Sequence, residues 1–499
     1  MSSPAEQALA AVADLTKETG TYIGGRWEDS DGEPLQARDP ATERVLRTVT
    51  ATALPDVHRA VTAARRAFEE GPWRTLSPRD RCRQMLRLVE VMESHREELA
   101  DLGTLEIGTP RTQSAGLHAA SPIAFFEWWA QAALRGPDGG WEQGLGLQRQ
   151  PVSAMSTLYR EPIGVVAAIT AYNFPLLISA FKVGGALAAG CSVVLMPSPS
   201  ALLSGIALVK MIEEAGFPPG TVNLVVGGPA VGEALTVSDG VDMVSFTGSV
   251  QVGKAVMAQS ASTVKKVVLE LGGKSPNILL PGSSLGQAVQ PSILRFCRNA
   301  GQACGATTRI LVPRDQYREF ADRAADVIGA LTVGDPWAPA TDMGPLISSR
   351  ARDALRGHLE RALARGAVLL AGRGVRPAET GYFVDPALVG GVDNDDDICQ
   401  NELFGPVGAL IPYDTVPEAI ALANATRYGL NANVWGEPEE AIAVGRLLKA
   451  GTVTINGGGG AENPEAPWPS AGESGVGVDR GMEGFREFFA LRHIVCPTA

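Results

Sequence analysis

The hydrophobic pattern changes period about a third of the way along the chain. In "PDVHRAVTAARRAFEEG" the apolar Val57, Val61, Ala64 and Phe68 recur at helical spacing, with Asp56 as the expected N-cap and Gly71 as the C-cap. "SPRDRCRQMLRLVEVMESHREELADLGTLEIG" reads as one long amphipathic helical region around Met85, Leu88 and Met92. From Ile163 onward the apolar runs shorten to strand length. "GVVAAIT", "CSVVLM", "VNLVVGG" and "VDMVSFTGS" alternate with helical stretches such as "ALLSGIALVKMIEEAG" and "VQVGKAVMAQSA". Repeated βα units predict a parallel sheet wound with helices. A second series runs through "ILRFCRNAGQ", "RILVP", "YREFADRAADVIGAL" and "DALRGHLERALARGAVLLAG" to "GLNANVWG", "EEAIAVGRLLKAG" and "GTVTIN". The fold class is therefore α/β, with two doubly wound parallel-sheet halves and a ligand cleft between them.

The most apolar stretch, Gly164 to Met196, is broken by Asn173, Pro175 and Lys182. It reads as strand, loop, helix and strand rather than as a membrane span. The acidic run Asp393 to Asp397 reads as a solvated loop, and the glycine run Gly457 to Gly460 as a flexible one. A length of 499 residues suits about three domains. The net charge of −12 argues against nucleic acid and anionic membrane as partners. Six cysteines without repeated spacing, and no CxxC or Cys/His cluster, imply neither a disulfide framework nor a metal site. They point to reduced thiols and a cytoplasmic location, and the acidic N-terminus does not read as a signal peptide. The histidines His58, His95, His118, His358 and His493 are scattered, and none neighbours a motif.

Four stretches carry candidate chemistry. "FCRNAGQACGATTR" sets Cys304 among Gly, Ala and Thr, where a thiol packs almost nothing but a nucleophile has room for a substrate. "VSFTGSVQVGK" is a strand, a tight turn and a helix start, either an ordinary βα turn or a cradle of amides for a pyrophosphate. "VVLELGGKSPNILL" puts Glu270 inside an apolar strand, as a salt-bridged structural carboxylate or as a general base with a raised pKa. "GVVAAITAYNFPL" places Asn173 at the end of a buried strand, as an Asx turn before Pro175 or as a donor to an oxyanion.

Together these stretches resemble the aldehyde dehydrogenase superfamily. "YIGGRW", "AYNFPL", "FTGSVQVG", "LELGGKSPNI", "NAGQAC", "GPLIS", "NELFGPV", "YGLNANV" and "SGVGVDRG" follow in the family's order over nearly the whole chain. The resemblance implies that Cys304 attacks an aldehyde, that Asn173 and the Cys304 backbone N–H hold the oxyanion, and that Glu270 activates the water hydrolysing the thioester. Lys182 matches a family lysine near the cofactor and the proton path. Ile169, Met196, Ser198, Gly228, Phe246, Gly248, Ser249, Leu271, Gly272, Glu402 and Phe404 fall at cofactor positions, with Glu402 on the nicotinamide ribose. Trp128, Trp129, Phe174, Phe181 and Trp468 match a substrate lining suited to an apolar, aromatic or cationic aldehyde. Cys297 is expected to be a buried structural thiol.

The resemblance further implies a cofactor domain of residues 1–140 and 162–270 and a catalytic domain of 271–465. An oligomerisation extension of 141–161 and 484–499 would serve a homodimer or homotetramer. Two departures stand out. Met196-Pro197-Ser198-Pro199 replaces the family's Lys-Pro-Ser-Glu, which removes a barrier to NADP. NAD remains the expected cofactor and NADP the alternative, because no Arg or Lys adjoins Ser198. Trp468 to Glu473 replaces the usual glycine-rich run, on the same loop as Glu462 and Glu465. The competing readings are a CoA-acylating enzyme, which typically lacks the Glu270 base, and a binding or structural relative without turnover.

Overall fold

The computed structural model describes residues 3–149, 151–374, 380–458 and 463–498. Gly459, Gly460 and Glu462 of the glycine-rich loop lie outside the described residues. Its first large sheet has eight strands. The parallel core runs in spatial order Val222–Leu224, Ser192–Met196, Val165–Ile169, Met243–Thr247 and Lys266–Glu270. The first four are mostly buried, largely apolar runs and Lys266–Glu270 is buried over its last three residues, because helices cover both faces of a parallel sheet. The order reverses between Val165–Ile169 and Met243–Thr247. A crevice opens outside the carboxyl ends of strands at such a switch.

The second sheet has seven strands. Pro276–Leu279, Arg309–Pro313, Val407–Tyr413, Ala387–Gly390, Asn431–Trp435 and Thr452–Ile455 are parallel, and Val368–Gly372 is antiparallel at the edge. The segment between Trp468 and Asp479 ties the two sheets together. Gly475–Val476 pairs antiparallel with Leu269–Glu270, Ala471–Gly472 pairs with Tyr428–Gly429, and Trp468–Pro469 pairs with Val478–Asp479.

A third, antiparallel sheet stands apart. It joins Glu142–Gln148, Ala154–Pro162 and the tail Phe489–Pro497. Leu145, Leu147, Met155, Leu491, Ile494 and Val495 stay exposed on it. No helix among the described residues is long and apolar enough to cross a membrane.

Three local expectations change. Asp56 does not cap its helix. The helix starts at Leu54 after Ala53, because Pro55 takes the first turn, and the Asp56 carboxylate accepts from Ser30 and Arg59 instead. The long helical region breaks at His95, whose backbone (φ −105°, ψ 18°) ends Pro78–Ser94 and starts Arg96–Ile107. "ILRFC" closes the helix Leu285–Cys297, and "RNAG" is a separate turn.

Candidate active site

Four segments converge at the switch point of the first sheet. Asn173 follows the strand Val165–Ile169 and precedes the helix Pro175–Ser179. That helix continues into a wider π-helical turn, Ala180–Gly184, which carries Lys182. Such turns recur at functional sites, where the extra residue re-aims a side chain. Here Lys182 points inward and is fully buried. Its Nζ donates to Ser245 Oγ at 3.0 Å and to Asp479 Oδ2 at 2.9 Å. The buried charge is thereby paired and hydrogen-bonded, which removes most of its cost.

Glu270 is the last residue of its strand and is 5% exposed. Neither of its carboxylate oxygens makes a hydrogen bond. Burial pushes its pKa well above the usual carboxylate range. The Asp479 carboxylate adds to this, and Lys182 and Arg480 pull the other way. Two buried carboxylates thus sit on either side of one question. Asp479 accepts from the Lys182 ammonium, whereas Glu270, buried beside it, holds a proton more readily than an ordinary carboxylate.

The turn before Cys304 is strained. Asn299, Ala300 and Gly301 have left-handed φ of 53°, 53° and 75°, and only the last is a glycine. Each non-glycine residue there costs roughly 1 kcal/mol or more, so its surroundings must over-determine it. Asn299 supplies that constraint. Its Nδ2 donates to the Asn173 carbonyl at 3.0 Å, and its Oδ1 accepts from Thr109 Oγ1 at 2.8 Å. Thr109 has spent its only proton, so at 2.9 Å it must accept from His118 Nε2–H. Burial lowers the His118 pKa to about 4, so the ring is neutral, and it stacks on Phe174 at 6.1 Å. His118, which neighbours no motif in sequence, therefore buttresses two of them in space. Asn173 Nδ2 in turn donates to the Gln302 carbonyl at 3.0 Å.

Cys304 is partly exposed at the end of this turn. A Cβ added at Gly273 would stand 2.8 Å from the Cys304 carbonyl oxygen, so glycine is needed for the close approach. Burial pushes the Cys304 pKa up to about 12. Glu402 and Glu270 add to the rise, while Arg480 and the Gly305 N–H oppose it. The resting form is the thiol, with two carboxylates close enough to feel its charge. Cys297 is buried in the second core, and burial alone drives its pKa far up.

Glu402 folds onto the same strand end. A Cβ at Gly272 would collide with its carboxylate, and the Gly273 N–H donates to its Oε1 at 3.2 Å. Burial raises its pKa to about 7, against the Gly273 amide and Lys274. Phe404, with φ 52°, meets Tyr172 edge-on at 5.9 Å.

Two helix N-termini face the crevice. Ser249 caps Val250–Ser260, and Gly228 opens Pro229–Val237 with free space where a Cβ would be. Ile169, Phe246 and Leu271 are buried beside them, and Gly248 packs on the Phe246 ring. Met196 is 5% exposed, its thioether over Gly232, and Ser198 is partly exposed beyond it. The two helix N-termini and the open Gly228 fit a dinucleotide pyrophosphate. Among the described residues no group of three or more His, Cys, Asp or Glu is placed to hold a metal.

The aromatic positions separate. Trp129 is fully buried against Phe485 and Gly184, so it packs the core. Trp128 is 8% exposed and stands edge-on to it. Phe181 and Trp468 instead flank a residue to which the sequence reading gave no role, Arg480. Its guanidinium lies 4.5 Å from the Trp468 ring and 5.2 Å from Phe181. Asp479, Arg480, Thr109, His118 and Asn299 are residues to which the sequence reading gave no part in the site. For the first two the signal was an Asp-Arg pair inside the quoted "SGVGVDRG".

Residues 27–494 match the aldehyde dehydrogenase family model. A 3-succinoylsemialdehyde-pyridine dehydrogenase of a Pseudomonas species is 38% identical over 480 residues, covering 95% of this chain and 98% of that one. Betaine aldehyde dehydrogenase of Bacillus subtilis is 35% identical over 489 residues, covering 96% and 97%. Among solved structures, betaine aldehyde dehydrogenase from Staphylococcus aureus with NAD+ superposes with a TM-score of 0.93 at 34% identity, covering 98% of this chain and 97% of that one. An aldehyde dehydrogenase C mutant from Pseudomonas syringae with NAD+ and octanal gives 0.90 at 36% identity, with 96% of each chain covered. The chain belongs to the aldehyde dehydrogenase family. It is an NAD(P)-dependent aldehyde dehydrogenase that works through a catalytic cysteine.

Proposed function

We propose that this enzyme oxidises a small-molecule aldehyde to its carboxylic acid with Cys304 as the nucleophile and water as the final acyl acceptor. The observation that carries the reading is that Cys304 and Glu270 both sit at the switch point of the first sheet, near enough for the Glu270 carboxylate to act on the thiol. The Cys304 Sγ bonds to the carbonyl carbon as its proton leaves to a carboxylate. The second N–H of Asn173 Nδ2, beside the one given to Gln302, and the Cys304 backbone N–H receive the oxyanion. When bound, the nicotinamide supplies the hydride acceptor, and loss of hydride leaves a thioester on Cys304. Glu270 then takes a proton from water, which breaks the thioester and frees the acid. The proton would leave Glu270 by way of Asp479 and Lys182, a buried pair whose charges both act on it.

The cofactor would lie over Gly228, Gly248 and Ser249, with Glu402 on the nicotinamide ribose and Met196 and Ser198 at the adenine end. NAD is favoured, since no Arg or Lys adjoins Ser198 in the sequence. Residues 1–140 with 162–270 would form the cofactor domain and 271–465 the catalytic one. The exposed apolar strands Glu142–Gln148 and Phe489–Pro497 support a homo-oligomer, because such edges are normally covered. An aldehyde panel with NAD and NADP in parallel, followed by reduced-cofactor absorbance and acid release, tests the reading. Reduced-cofactor formation that depends on added CoA and yields the acyl-CoA in place of the acid would overturn the hydrolytic step.

A further inference from the structure

The stretch that follows the altered 468–473 run places a cation where the sequence reading expects only aromatic faces. Trp468 pairs in register with Asp479, so the next residue, Arg480, is delivered beside the indole. Its backbone has a positive φ of 68° with ψ 166°, so the chain leaves the strand direction there. The guanidinium lies 4.5 Å from the Trp468 ring, 5.2 Å from Phe181 and 5.9 Å from Phe125. The Trp468 ring lies on the turn that carries the nucleophile, since a Cβ at Gly305 would stand 3.1 Å from its Cη2 and Cζ2. Arg480 is 4% exposed.

We propose that Arg480 determines substrate class by filling the aromatic pocket beside Cys304 with the protein's own cation, which closes that pocket to cationic aldehydes. A free aromatic cage attracts quaternary ammonium groups through the negative faces of its rings. Here the faces of Trp468 and Phe181 are already engaged, and a second cation would meet like charge in a desolvated space. Of the three substrate kinds that the aromatic lining suggests, the cationic one is removed, and neutral aldehydes remain. The inference rests on the reading of Cys304 as the nucleophile.

The test uses two aldehydes of one shape, trimethylammonio-acetaldehyde and 3,3-dimethylbutanal, which differ by a nitrogen for a carbon and hence by one charge. In the unaltered enzyme, kcat/KM for the neutral aldehyde should exceed that for the cation at least tenfold. In Arg480→Met the ratio should move toward the cation on the order of 10–100-fold. Arg480→Lys keeps the charge and should keep the ratio near that of the unaltered enzyme. Comparing ratios cancels the intrinsic reactivity of the two aldehydes and any change in the chemical step. Equal use of both by the unaltered enzyme overturns the proposal, and that result needs no variant to fold. So does an unshifted ratio in an Arg480→Met protein that still oxidises the neutral aldehyde. Failure of the unaltered enzyme to oxidise any neutral aldehyde of the panel would instead overturn the aldehyde-oxidation reading, and this inference with it.

Discussion

Cys297 and Cys304 sit seven positions apart and show two ways of holding a thiol. Cys297 ends a helix inside the second core, packed with apolar neighbours, and nothing charged acts on it beyond the loss of water. Cys304 sits after a strained turn, partly open, with Glu270, Glu402 and Arg480 all acting on its charge. Both pKa values are raised by burial. A raised pKa therefore does not separate a structural thiol from a reactive one. What separates them is whether a neighbouring group can take the proton and whether a substrate can reach the sulfur.

The sharpest way to break that contrast is Cys304→Ala. Oxidation should fall to background while the fold and cofactor binding persist, since the lost volume is small. Fluorescence quenching by NAD, with steady-state rates alongside, checks both halves. Retained turnover would make Cys304 a bystander.

Glu270→Gln comes next, with a loss on the order of 10²–10⁴-fold in steady-state rate. A single burst of reduced cofactor should survive, and intact mass should show the acyl group on the protein. The pH profile carries the same information. Glu270 is active as the ion, and burial moves its ionisation upward, so the hydrolytic rate should rise with pH beyond the range of an ordinary carboxylate. In Glu270→Gln that rising limb should vanish from the steady-state rate. Absence of both burst and adduct would mean that Glu270 also deprotonates the thiol.

Much of this was readable from the chain alone, and for identifiable reasons. The parallel strands are continuous apolar runs, so Val165–Ile169 and Ser192–Met196 stand out against any background. The crevice residues lie just beyond strand ends, where a glycine or a lone polar residue breaks the run, as at Glu270-Leu271-Gly272. Long-range pairing was not readable. Asp479 lies 297 positions from Lys182, and Asn299 lies 190 from Thr109, so no local pattern links them. Arg480 was invisible as a pocket residue because its place depends on a positive-φ backbone and on the pairing of Trp468 with Asp479.

Asn173→Ala sharpens the contrast on the side of geometry. It removes the proposed oxyanion donor and the hydrogen bond to the Gln302 carbonyl. Loss of one such donor is worth about 10²–10³ in kcat. KM should change far less, because the interaction forms in the transition state. An effect confined to KM would make Asn173 a substrate-binding residue instead.

The smallest effect should come from Cys297→Ala, and it completes the comparison from the other side. The thiol fills space among Phe296, Ile293 and their neighbours, so its removal leaves a shallow cavity costing about 1 kcal/mol. Thermal midpoint should fall by a few degrees at most for a protein this large. Turnover should stay within a factor of two of the unaltered enzyme, because the sulfur meets no substrate and its proton has no acceptor. One route could still couple the two thiols. Cys297 is the residue before the turn Arg298–Gly301, and a shift of the helix end would reach Asn299 and then Asn173. Such coupling would appear as a loss in kcat with unchanged cofactor binding. It would show that the strained turn, not the pair of carboxylates, is the feature that sets Cys304 apart.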